Sequence, residues 1–107
     1  MTKKQIYLTK LSSLGCVVCL NLGYPDSPAE CHHIRSGAGK SQKTHFTKAI
    51  PLCDKHHRTG GYGVAFHAGP TCWQRKYGIE TELLDQVIKM LGQWRVDFMA
   101  GLDEKDY

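Results

Sequence analysis

Two short ligand pairs stand out in the chain, Cys16-Val-Val-Cys19 and Cys53-Asp-Lys-His56. Two residues between donors let a tight turn aim both at one ion. Two such turns complete a tetrahedral shell, the closed arrangement of a structural zinc site. Residues 20–52 separate the pairs, enough chain for a hairpin to intervene. A redox role for the CxxC would call for a thioredoxin-like βαβ setting, which the sequence lacks. Cys31 and Cys72 have no paired spacing and read as small buried hydrophobes, with Cys31 able to stand in as a ligand.

The histidines form the second chemical signal. Five of the six fall in the tight motifs CHHI, DKHHR and AFHAG, and His45 is the sixth. Adjacent residues of a strand point to opposite faces, so His32 and His33 are suited to different tasks. One can hold an ion while the other faces elsewhere. At the turn after Leu52, His56 can complete the cysteine set while His57 turns away from it.

The stretch CHHIRSGAGKS also invites a phosphate-loop reading, because Gly39-Lys40-Ser41 matches the end of a Walker-type pattern. The first glycine of that pattern would fall at position 34, which is Ile34. Without it the backbone N–H groups cannot curl around a phosphate, and no parallel-sheet pattern surrounds the stretch. A flexible basic loop is left, with Arg35, Lys40 and Lys43 able to touch a phosphate backbone.

The elements that must position these residues are short. Residues 2–14 read as a helix, with Thr2 and Gln5 at capping-box spacing, Tyr7, Leu11 and Leu14 on one face and Gly15 as the stop. Residues 29–34 and 49–52 read as two short strands, and DKHHR as the start of a helix with Asp54 at its positive end. Thr71 and Gln74 suggest a second capping box opening a helix that Gly78 ends. From Thr81 to Ala100, the stripe Leu84, Val87, Ile88, Leu91, Trp94 and Phe98 has helical spacing and reads as core. Trp73 and Tyr77 read as core too, whereas Tyr62 in a Gly-rich turn is a looser candidate for DNA contact. The polar tail 101–107 is expected to fray.

Length and composition narrow the classes further. A chain of 107 residues fits a single domain with a modest core, to which a structural metal would add stability. Lys plus Arg number 14 against 10 Asp plus Glu, and the net charge of +4 suits a polyanionic partner. Five cysteines, an odd number, with no signal-like apolar segment argue for a reduced cytosolic setting and against a disulfide scaffold. No stretch is apolar enough to span a membrane.

The order CxxC, HHI, a Gly-containing loop and IPLCxxHH resembles the HNH endonucleases of the ββα-metal (His-Me finger) class. More narrowly, CHHIRSGAGK, THF, IPLCDKHHRTGGYGVAFHAG and YGIETELL resemble the phage recombination-enhancement, RecA-dependent (Ref-type) nucleases. The likeness runs from about Leu14 to Leu91.

The resemblance implies an α+β fold. A zinc-stabilised ββα-metal core would span residues 14–69, helices would follow at 71–100, and the flanking helices would lie at both ends. It implies metal-dependent hydrolysis of DNA phosphodiesters in the bacterial host cytoplasm, by a phage or prophage protein working with a RecA–DNA filament. His33 would be the general base. His32, His57 and His67 would hold a catalytic Mg2+ or Mn2+, a position that Zn2+ can also take, and Cys16, Cys19, Cys53 and His56 would hold structural Zn2+.

The chain departs from the HNH pattern at its middle asparagine. That position is Lys48, and the only asparagine is Asn21. His45 or backbone groups are left to orient the base, and Lys48 joins Arg35, Lys40 and Lys43 as a DNA contact. The alternative function is a zinc-stabilised nucleic-acid-binding module without hydrolytic activity, which the missing asparagine favours slightly.

Overall fold

The computed structural model describes residues 1–34 and 45–106. Of the basic residues named above, Arg35, Lys40 and Lys43 lie outside the described residues. The fold is a small α+β assembly in which one antiparallel hairpin is surrounded by helices.

The first helix, α1 (Lys3–Ser12), opens with the expected capping box. Thr2 Oγ1 accepts from the Gln5 N–H at 3.1 Å, and the Thr2 N–H donates to Gln5 Oε1 at 2.8 Å. Each bond satisfies a donor that the first helical turn cannot pair internally. Tyr7 and Leu11 share the inward face and are fully buried.

A short helix α2 (Val17–Asn21) follows, with Cys16 as its N-cap. The two strands are β1 (Glu30–His33) and β2 (Ala49–Leu52), paired so that Glu30 faces Leu52 and His33 faces Ala49. All four residues of β2 are buried, because α1, α2 and α4 (Glu80–Ala100) pack around it. Pro51 is tolerated opposite Cys31 because each strand of a two-stranded sheet has one side without a ladder partner. In β1 the strand alternation divides the adjacent histidines, leaving His32 buried and His33 exposed.

After β2 the chain makes a single π-type turn (Lys55–Thr59) rather than an extended helix, closed by the Gly60 N–H donating to Lys55 O at 2.9 Å. Only glycine fits at that closure. A Cβ on Gly60 would sit 2.4 Å from Lys55 O and 2.6 Å from Val64 Cγ1. A 3-10 turn (Phe66–Ala68) leads to α3 (Pro70–Tyr77).

The capping box expected at Thr71 does not form, because Gly69 is the N-cap and Pro70 takes the first helical position. Proline suits that place because its φ is pre-set and its missing N–H would have had no partner there. Gln74 serves the next helix instead, its Oε1 accepting from the Glu80 N–H at 3.0 Å.

The helix α4 is two helical segments joined at Gly92, whose φ of 56° and ψ of −136° interrupt it. The first segment buries Leu83, Val87 and Leu91. The second lays Trp94 and Phe98 against Tyr7, with ring centroids 5.7 and 5.2 Å away. The core thus joins Tyr7 and Leu11 to Val17, Ile50, Leu52 and Trp73, with Trp73 fully buried. The tail, expected to fray, carries a 3-10 turn (Glu104–Asp106) whose Asp106 carboxylate lies 2.9 Å from Lys3 Nζ. Among the described residues no helix is long and apolar enough to cross a membrane.

Candidate metal centres

Two groups of donor side chains converge. The first is Cys16, Cys19, Cys53 and His56, whose ligand atoms all lie within 4.8 Å of one another. The start of α2 makes one knuckle, with the Cys19 N–H donating to Cys16 Sγ at 3.4 Å. The end of β2 and the π-type turn make the other, held by the His57 N–H donating to Cys53 O at 2.9 Å.

Cys19 Sγ lies 3.7 Å from Cys53 Sγ, and His56 Nδ1 lies 3.8, 3.5 and 3.2 Å from the sulfurs of Cys16, Cys19 and Cys53. Tetrahedral zinc, with its usual Zn–S and Zn–N lengths, separates two sulfurs by about 3.8 Å and a sulfur from a nitrogen by about 3.5 Å. The donor set therefore fits zinc. Burial pushes the Cys16 thiol up to about 12, whereas coordination to a cation takes the thiolate. Burial, with the charges of Lys55 and Lys76, lowers the pKa of His56 and favours the neutral imidazole that a ligand needs.

The second group is His32, His57 and His67, again with donor atoms within 4.8 Å of one another. Each comes from a different element. His32 hangs from β1, His57 from the π-type turn, and His67 from the 3-10 turn anchored by Phe66, which packs on Trp73 with centroids 5.1 Å apart.

His57 Nδ1 donates to Glu30 Oε1 at 2.7 Å, which leaves Nε2 as a lone pair. That Nε2 sits 3.0 Å from His67 Nε2, a spacing at which two imidazoles share a proton or a cation. About 3.0–3.4 Å is the separation of two nitrogens on one ion at ordinary ligand distances. Burial holds the His57 pKa below the usual histidine range, against the opposing pull of Glu30. Glu30 is held below the usual carboxylate range by Arg58 first and His57 second. Arg58 grips it through Nε at 2.7 Å and a terminal nitrogen at 2.9 Å. The buried His32 places Nε2 2.7 Å from Glu80 Oε2.

The family model for recombination enhancement, RecA-dependent nucleases matches residues 2–92. The chain belongs to this family. The family's description is that of a nuclease, and its residues 2–92 take in both donor groups. No curated protein and no solved structure matches the chain.

In this RecA-dependent nuclease family member, the remaining candidate residues lie outside the two donor groups. His33 follows His32 and is exposed at the end of β1. His45 Nδ1 lies 2.7 Å from Thr47 Oγ1, and its Nε2 donates to the carbonyl of Asp106 at 2.7 Å. Lys48 is exposed at the mouth of the hairpin, where its carbonyl accepts from the Ile34 N–H at 2.9 Å. Tyr62 is exposed and lies over Gly69.

Sequence reasoning misses Glu30, Arg58 and Glu80. Glu30 carries a weak signal, standing two residues before His32 on the same strand face. Glu80 carries none, since it reaches His32 across 48 positions.

Proposed function

We propose that this chain is a metal-dependent endonuclease of the HNH type that hydrolyses DNA phosphodiester bonds in RecA-dependent recombination. One observation carries the reading: His32, His57 and His67 converge on a frame that fits structural zinc, and the exposed His33 follows His32 on the same strand. The hairpin and the π-type turn take the parts of the ββα-metal unit, and residues 1–107 act as one nuclease domain. The expected setting is the cytoplasm of a bacterial host, with a phage or prophage origin.

Cys16, Cys19, Cys53 and His56 hold the structural Zn2+. His32, His57 and His67 hold a Mg2+ or Mn2+ ion and leave positions open for phosphate and water. An ion held by these residues would supply Lewis-acid polarisation of a phosphate oxygen and charge stabilisation at the departing 3′ oxygen. His33, as neutral imidazole, takes a proton from the attacking water as the new P–O bond forms and the P–O3′ bond breaks. His45 assists in orienting this group. Arg35, Lys40, Lys43 and Lys48 hold the phosphate backbone by charge.

The experiment is plasmid nicking with Mg2+ or Mn2+, with and without a RecA–DNA filament. His33→Ala should slow cutting by about 10²–10⁴-fold, the usual contribution of a general base, while zinc content and fold persist. An unchanged rate in His33→Ala overturns the assignment. Salt-sensitive DNA binding without cutting under any divalent ion would favour the alternative, a zinc-stabilised binding module.

A further inference from the structure

The buried carboxylate of Glu80 does not belong to either donor group. Among the described residues it is the only buried acidic side chain. Burying a carboxylate is costly unless it is bonded, so the group it bonds is informative. Its Oε2 lies 2.7 Å from His32 Nε2, with the side chains of both residues less than a tenth exposed.

Glu80 is also rigidly placed. It opens α4, its N–H is held by Gln74 Oε1 at 3.0 Å, and Leu83 and Val87 lock the same helical segment into the core. The first turn of a helix is where negative charge is favoured. A neutral imidazole has one N–H and one lone pair. A carboxylate at Nε2 takes the N–H and leaves the lone pair at Nδ1.

We propose that Glu80 is a positioning residue. It fixes the tautomer and ring orientation of His32, so that Nδ1 faces the ion shared with His57 and His67. Glu30 bears the same relation to His57 with the ring reversed, bonding Nδ1 and leaving Nε2. The two carboxylates thus select opposite nitrogens on the two rings. The inference rests on the metal-site reading above.

The test titrates Co2+ into the zinc-loaded full chain. The d–d absorption of an imidazole site lacks the thiolate charge-transfer band that cobalt in the cysteine site would show. Glu80→Ala should raise the Co2+ Kd by about 10–100-fold, the usual effect of removing a ligand's outer partner. Glu80→Gln should raise it less, because its amide oxygen still accepts from Nε2–H.

Independently of any variant, 15N NMR of the wild-type protein without Co2+ should show His32 as the Nε2–H tautomer. Equal Kd values in the three proteins, or the Nδ1–H tautomer at His32, would overturn the proposal. Wild type that binds no Co2+ outside the cysteine site would overturn it together with the metal-site reading. Normal wild-type binding that Glu80 variants leave unmoved would overturn this inference alone.

Discussion

Removing zinc from the Cys16, Cys19, Cys53 and His56 site should unfold most of the protein. The four donors tie the start of α2 to the end of β2 across residues 20–52, and β2 is the most enclosed element of the fold. The same turn anchors α3, because Trp73 Nε1 donates to the carbonyl of His56 at 3.0 Å and Tyr77 packs on the His56 ring. Structural zinc in small domains contributes an apparent 10–16 kcal/mol or so near neutral pH. The whole stability of a domain is about 5–15 kcal/mol. A zinc ion of that strength at this site would contribute as much as the total margin.

Each kcal/mol lost shifts Tm by about 4–8 °C at this chain length. A loss of even about 5 kcal/mol would therefore lower Tm by roughly 20–40 °C. The assay is a thermal melt followed by far-UV circular dichroism and tryptophan fluorescence, before and after chelation, with released zinc counted by a colorimetric indicator. Trp73 reports directly on the turn that carries His56. If stoichiometric zinc leaves and Tm stays within about 2 °C, the site does not hold the fold together and the reasoning fails.

Two further outcomes follow from the same structure. His56 and His57 both have lowered pKa values, so folding favours their neutral forms. Their contribution is fully present above the unfolded value of about 6.5 and is lost as pH falls through the folded values. Coordination has the same sign, so urea midpoints should fall between pH 7 and pH 5, and a midpoint that rises would contradict it. Gly92→Ala places a side chain at φ 56°, ψ −136°, a conformation that L residues rarely adopt. It should cost about 1–3 kcal/mol, readable in the same urea titration, and a stabilised variant would show that the interruption of α4 is not fixed by the fold.

The candidate site is more legible in the sequence than the fold around it. A tetrahedral ion demands donors at short, repeated spacings, so spacing alone groups Cys16, Cys19, Cys53 and His56. Strand alternation likewise separates His32 from His33. The capping box at Thr2 is readable because it is local, with four consecutive residues containing both of its bonds.

The one expected at Thr71 fails because Pro70 and Gly69 compete for the helix start by a stronger local preference. Gly92 is hidden because the apolar stripe of α4 continues across it. The buried face also sits differently in the first segment, with Leu83 inward and Leu84 half-buried. Glu80 is invisible, and Glu30 only weakly signalled, for another reason. Their partners are set by how α4 and the π-type turn pack on the hairpin, and no spacing rule connects residues brought together only by tertiary packing.

The π-type turn gives neighbouring residues to both donor groups, His56 to one and His57 to the other. Two occupants that share a piece of backbone cannot be thermodynamically independent. An ion that fixes His56 has already met part of the entropy cost of fixing His57, so the second is met by a partly ordered receptor. Linkage makes this reciprocal in free energy.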